Sequence, residues 1–204
     1  NKNLRKFADT NLYELKLKQL SKTRQFKCFT VSSESKNVLE IASKFGFKTH
    51  FRDQYYSTSA VSMSEVYSHL GSMSECAHVA WINVTNPLSN HLIYDEAAKI
   101  YKKKIISKSY DCLLSAIESK ENFFYKNKTI NFKRSPWPRS QDLSPLISLP
   151  FVINILKKKD LIKWGSCVGK KPYFYILNSL IASDIDSQYN FDFCEFVYRN
   201  RKKY

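Results

Sequence analysis

Asp184 and Asp186, in the stretch SDIDSQYNFDF, stand two residues apart around Ile185. In extended backbone, residues at i and i+2 project to the same side. Both carboxylates can then meet one hard cation such as Mg²⁺, which prefers oxygen ligands and commonly shares them with phosphates. The pair has a structural use as well: Asp186, or Ser187 after it, can cap a following helix by accepting backbone N–H groups. Asp-x-Asp is a frequent pattern, and its spacing alone leaves both readings open. A second polar group, NVTNPLSN from Asn83 to Asn90, follows an apolar run. An open α/β sheet binds ligands at such a place, beyond the carboxyl ends of its strands, although Thr-Asn-Pro is also an ordinary turn. A third, KRSPWPRSQDL, sets Lys133, Arg134 and Arg139 around Trp137. Arginine grips carboxylates or phosphates through paired N–H bonds, and the same residues would suit a solvated loop.

Other chemistries lack their residues. There is no Ser-His-Asp elbow and no Walker A loop, and His50, His69, His78 and His91 form no motif. The five cysteines are scattered, with no CxxC and no Cys/His cluster. Spacing therefore indicates neither a zinc site nor a disulfide framework, and the usage fits a reducing, cytoplasmic setting. No apolar run approaches the roughly 20 residues of a membrane span, and no signal peptide is visible. The formal net charge of +15 favours anionic partners. The lysines are dispersed, however, and the wealth of Asn, Ile, Ser, Tyr and Phe is what AT-rich coding produces. With no recognised motif, neither a nucleic-acid nor a membrane partner is expected. A basic nucleic-acid-binding module remains a distant alternative.

The elements that must position these groups alternate. TNLYELKLKQLSK predicts a helix, with Thr10 as its cap and Leu12, Leu15 and Leu20 as its apolar positions. Phe26 to Ser33 and Ala77 to Val84 read as strands. Val38, Ile41, Ala42 and Phe45 mark a helix face that Gly46 ends, and Met63, Val66, Tyr67 and Leu70 mark another. Ile93, Ala97, Ile100 and Tyr101 predict a further helix. Strands follow at Asp111–Ile117, Leu149–Leu156 and Pro172–Leu177, and a last helix begins near Ser187. Such alternation predicts an α/β sandwich around a mostly parallel sheet. It breaks from Glu118 to Pro145, where a hairpin turning at Lys126-Asn127-Lys128 and a proline-rich loop read as an inserted arm.

Taken in order, these segments resemble the cytidylyltransferases that activate nine-carbon acidic sugars, the CMP-N-acetylneuraminate synthetase family. KNLRKF at Lys2 resembles the Lys-Asn-Leu that ends the family's nucleotide loop, and FTVSSES at Phe29 its VSTD strand end. FRDQYYSTSAVSMSE resembles its Arg-Pro segment, NVTNPL its QPTSPL, and PRSQDLSP its RxQDLPP. VGKKPYFYIL and SDIDSQYNFDFCEFVY resemble its final strand and DIDTxxDFxxAE ending. The resemblance implies a three-layer, Rossmann-like fold of the nucleotide-diphospho-sugar transferase type, as one domain over residues 1–204. The arm at 118–145 would make a dimer contact. It implies CTP and a nine-carbon 2-keto sugar acid as substrates, Mg²⁺ as cofactor, and a CMP-sugar and pyrophosphate as products. By the same resemblance Asp184 and Asp186 hold the metal, and Lys2, Asn3, Arg52 and Ser62 meet the nucleotide. Asn83, Arg139 and Gln141 meet the sugar, with Arg139 serving catalysis in the neighbouring subunit's site.

The sequence also departs from the family pattern. Leu149-Pro150-Phe151 stands where NGA is usual, Asn83 replaces Gln, Asn86 replaces Ser, and Ile181 lies where a glutamate is common. These changes imply a divergent branch acting on a sialic-acid-like sugar. The chain begins at Asn1, just after the position of the family's Gly-, Arg- and Lys-bearing phosphate loop. The expectation is a truncated record whose first strand and phosphate cations precede Asn1. A non-catalytic paralogue of the same fold is the alternative.

Overall fold

A computed structural model describes residues 2–105 and 109–201. The chain opens with a 3₁₀ turn at Lys2–Leu4 and two short paired strands, β1 (Lys6–Phe7) and β2 (Thr10–Asn11). Helix α1 (Leu12–Leu20) follows, then β3 (Thr30–Ser33), α2 (Lys36–Lys44) and β4 (Lys48–Phe51). Next come α3 (Met63–Met73), β5 (His78–Trp81), α4 (His91–Lys104) and β6 (Cys112–Ser119). The arm carries β7 (Phe124–Tyr125), β8 (Lys128–Thr129) and a 3₁₀ turn at Ser140–Asp142. The chain returns through β9 (Leu146–Ser148), β10 (Asn154–Lys157), α5 (Lys158–Trp164), β11 (Pro172–Ile176) and α6 (Gln188–Arg199).

The main sheet runs β11-β6-β10-β5, with β9 added on β6. β11 is parallel to β6, while β10 lies antiparallel to both β6 and β5. Thus β5, β6 and β11 share one direction, but the sheet is mixed rather than mostly parallel in its pairings. β3 and β4 pair in parallel as a separate unit, joined by α2.

The period of two along β6 builds the layers. Leu113 faces a cluster with Tyr94, Ala97 and Tyr101 of α4, while Cys112 and Leu114 face Leu161 of α5 and Tyr67 of α3. A strand buried on both faces carries an uninterrupted apolar run, and residues 112–116 are all buried. Helix α1 is enclosed on several sides. Leu12 and Leu15 pack with Phe7 and Phe191, Tyr13 and Leu17 pack with Ala42 of α2, and Leu20 joins the cluster of α4.

Three expectations are corrected locally. The cap of α1 is Asn11, not Thr10: its side chain accepts the Glu14 N–H at 2.8 Å and returns a bond to the Glu14 carboxylate at 2.9 Å. Extended pairing begins only at Thr30, and Phe26 and Phe29 instead stack towards Phe47. The strand expected over 149–156 starts at Asn154, because Phe151 takes φ 51° and breaks the run after Pro150. The hairpin forms, with Phe124–Tyr125 paired to Lys128–Thr129, but its turn is Lys126-Asn127 alone, because Lys128 already pairs in β8. Of the basic run ending the chain, Lys202 and Lys203 lie outside the described residues.

Candidate active site

Because β5 and β11 share a direction, the segments leaving their carboxyl ends emerge at one end of the sheet. These are the turn around Asn83–Asn90 and the stretch that contains both acids. Ile185 donates its N–H to the Thr85 carbonyl at 3.0 Å. Its side chain is buried among Phe7, Leu12, Phe191 and Cys194. With Ile185 turned inward, Asp184 and Asp186 flank it, the first half-buried and the second exposed. Asp184 accepts the Ile185 N–H at 3.1 Å. The capping role belongs to Ser187, whose hydroxyl accepts the Asn190 N–H at 3.1 Å while Asn190 accepts the Ser187 N–H at 3.1 Å.

Asn86 ties the two segments together. It is fully buried, and its amide donates to the carbonyls of Pro150 at 3.2 Å and of Ala182 and Ser183 at 3.4 Å each. Behind it, Lys16 donates to the Asn86 carbonyl at 2.8 Å and to the Tyr94 hydroxyl. Among the described residues no carboxylate pairs with Lys16, and burial pushes its ammonium from 10.5 down to about 7. The sequence holds a signal for this lysine: it falls at i+4 from Leu12 and i−4 from Leu20 on an apolar helix face. The N-terminal segment closes the same end. Phe7 meets Phe191 edge-on at 5.5 Å, Arg5 donates to Gln188 at 2.6 Å, and the Ala8 N–H donates to Glu195 at 2.7 Å.

The remaining expected residues divide into two groups. Lys2 and Asn3 lie in the first 3₁₀ turn, with Asn3 half-buried; the Lys2 side chain is outside the description. Leu4 of that turn and Val84 both pack on the cluster of Tyr13, Leu17 and Ala42, and Val84 also packs on the cluster that holds Ile185. This brings Asn3, Asn83 and the two acids to one region. Asn83 accepts the Trp81 indole N–H at 3.0 Å. Arg52 follows β4, with its backbone N–H on the Ser33 carbonyl at 3.0 Å and its guanidinium on Glu34 at 2.8 Å. Glu34's own backbone N–H, and then Arg52, hold that carboxyl below the usual range. Ser62 caps α3 in a reciprocal box with Glu65. Arg139 is exposed and pairs with Asp142 at 2.7 Å, and Gln141 uses its carbonyl to accept Lys120 at 3.2 Å. Within one chain these three serve a helix cap and the arm and do not join the acids.

A cavity of about 760 Å³ lies between the edges of β3 and β5. Leu17, Phe29, Phe47 and Val79 give it apolar walls, and Lys16, His50 and Arg52 supply its polar points. The His50 ring nitrogen Nδ1 meets the Ser32 hydroxyl at 3.0 Å. Burial first, then His69 and Arg52, lower the pKa of His50. His69 stacks on Tyr56 at 3.9 Å. The histidines carry no sequence motif, and only folding brings this pair together.

The donor set suits a hard cation. Asp184 and Asp186 offer oxygen only, and one of them faces solvent. Among the described residues no cluster of three or more His, Cys, Asp or Glu surrounds them, so water and phosphate would complete the shell, as is usual for Mg²⁺.

A layered α/β sheet that collects paired carboxylates and amide-bearing turns beyond its strand ends has the layout of a nucleotide-handling enzyme. The family model for cytidylyltransferases matches residues 1–142, and the chain belongs to that family. It is 22% identical over 210 residues to post-translational flagellin modification protein B of Campylobacter coli, covering 98% of this chain and 89% of the relative. Among solved structures it resembles CMP:2-keto-3-deoxy-manno-octonic acid synthetase complexed with CTP, with TM-score 0.69 and 8% identity over 98% of this chain and 92% of that one. It also resembles 4-diphosphocytidyl-2C-methyl-D-erythritol synthase of Anaerococcus prevotii, with TM-score 0.66 and 10% identity over the same shares. At these identities the structural likeness speaks for the fold alone. Among the described residues no helix is long and apolar enough to cross a membrane.

Proposed function

We propose that this cytidylyltransferase uses CTP to activate a nonulosonic, sialic-acid-like sugar, releasing pyrophosphate. The anomeric hydroxyl attacks the α-phosphorus and forms the new O–P bond. The bond to the β-phosphate breaks, pyrophosphate leaves, and the hydroxyl proton passes to solvent. The observation that carries this reading is the convergence of Asp184, Asp186, Asn3 and Asn83 at one end of the sheet in a chain of this family. A relative in flagellin modification and a fold shared with a synthetase that activates a 2-keto-3-deoxy sugar acid support the substrate class.

Asp184 and Asp186 would hold Mg²⁺, which when bound neutralises phosphate charge as it develops. The chain's own residues position and orient. Asn86 and the Thr85 carbonyl fix the backbone on either side of Asp184, and Lys16 fixes Asn86. Arg52 and the Lys2-Asn3 turn would meet the nucleotide, and Asn83 the sugar. The arm would dimerise the protein, so that Arg139 and Gln141 reach the partner's sugar site. Ser62 would meet the nucleotide by exchanging its cap for a ligand contact.

The test is pyrophosphate release from CTP with a panel of nonulosonic acids, with Mg²⁺ or with chelator. Release requires Mg²⁺, and Asp186→Asn lowers it by roughly 100-fold or more, the scale of losing one charge-stabilising group. Asp186 is exposed, so folding is expected to be unaffected. Full activity in Asp186→Asn would remove the metal assignment, and release with none of the sugars would remove the substrate class.

A further inference from the structure

Cys28 precedes β3 and Cys76 precedes β5, and both line the cavity. No backbone ladder joins the β3–β4 unit to β5 among the described residues. Two contacts nevertheless draw together the segments that carry the two cysteines. The Lys48 N–H donates to the Phe29 carbonyl at 3.0 Å, which holds the Cys28 segment beside β4. The Lys48 ammonium then crosses to Glu75, next to Cys76, at 2.6 Å. The Cys28 thiol is held above its ordinary pKa, by burial first and then by the neighbouring Cys76 thiol, and Lys48 acts in the opposite direction. Cys28 is exposed and Cys76 half-buried.

We infer that Cys28 and Cys76 form a reversible disulfide that staples the β3–β4 unit to the main sheet across the cavity mouth. A low-molecular-weight disulfide is the oxidant. The Cys28 thiolate, the more accessible of the two, attacks one of its sulfurs and expels one thiolate. Cys76 then attacks the mixed disulfide and expels the second. Two protein thiols and one disulfide become one protein disulfide and two small thiols. The two protons end on the released thiolates. The other thiols are spared because Cys112, Cys167 and Cys194 are buried, out of reach of the oxidant. In a reducing compartment such bonds are transient and redox-sensing. Without the bond the two units are held here by an exposed ion pair, a weak constraint.

The test is incubation of the chain with oxidised glutathione, followed by peptide mapping without reductant and thermal unfolding. The expected result is a Cys28–Cys76 linked peptide within one chain and a Tm higher by roughly 5–10 °C, reversed by dithiothreitol. Cys28→Ser and Cys76→Ser should each match the reduced wild type in Tm and show no response to the oxidant. Glutathione left on either cysteine without linkage overturns the proposal. So does a covalent dimer, or a linked peptide with unchanged Tm.

Discussion

Replacing Lys16 with methionine should remove a pH dependence built into the core. Lys16 is 3% exposed and lies among the apolar residues of α1. Its partners are the Asn86 carbonyl and the Tyr94 hydroxyl, both uncharged. Folding favours the neutral amine, so the pKa falls from 10.5 to about 7. That fall corresponds to roughly 5 kcal/mol. The sign follows from proton counting. Between pH 7 and 10.5 the unfolded chain binds one proton more than the folded one at this site. Stability therefore rises with pH through this window by about 1.4 kcal/mol per pH unit, and the full penalty applies below pH 7. Urea unfolding at pH 7 and pH 9, followed by tryptophan fluorescence, reads the difference. Wild type should gain roughly 2 kcal/mol more than Lys16→Met over those two units, a little under the full slope because the folded site is half-protonated at pH 7. Groups that titrate alike in both proteins cancel in the comparison. At pH 7 the variant should be at least as stable, because the relieved charge penalty exceeds the roughly 1–3 kcal/mol cost of leaving the Asn86 carbonyl unpaired. Equal pH slopes in the two proteins would refute a buried, neutralised Lys16.

Ser187→Ala removes the hydroxyl that caps α6 directly after Asp186 and should cost about 1 kcal/mol, measured by chemical denaturation. Gly169→Ala sets a Cβ at 2.2 Å from the Asp111 carboxylate, which accepts the N–H groups of Lys170 and Lys171 at 2.8 Å. The expected loss is roughly 1–3 kcal/mol, read as a lower Tm. If the arm is a dimer contact, Trp137→Ala should raise the dimer dissociation constant by at least about 10-fold in sedimentation analysis. Trp137 is 65% exposed in the single chain and meets Phe132 edge-on at 5.2 Å, so a fold change is not expected.

The helices and most strands were legible in the sequence because each is a local pattern. Met63–Met73 and His91–Lys104 follow their apolar spacing, and residues 112–116 read as a run buried on both faces. Where the reading slipped, the deciding force was local as well: Asn11 outcompetes Thr10 for the Glu14 N–H, and Phe151 turns the backbone to positive φ. The SDID stretch was visible but ambiguous. The structure gives the cap to Ser187, and a distant contact, the Ile185 N–H on the Thr85 carbonyl, holds the two acids beside the Asn83–Asn90 turn.

By itself, the sequence determined the order of elements, the hairpin over 124–129 and the chain of short segments that mark a cytidylyltransferase. Tertiary structure alone decided which of those segments meet. β10 enters antiparallel between β5 and β6, which leaves β5 and β11 pointing the same way and sends Asn83 and the two acids to one end. Packing on several sides of α1 buried Lys16, and the Lys48–Glu75 contact joined the β4 edge to the segment before β5. Periodicity records how one element faces its surroundings. It carries no record of which remote element supplies them, and contacts between distant residues are what build the site.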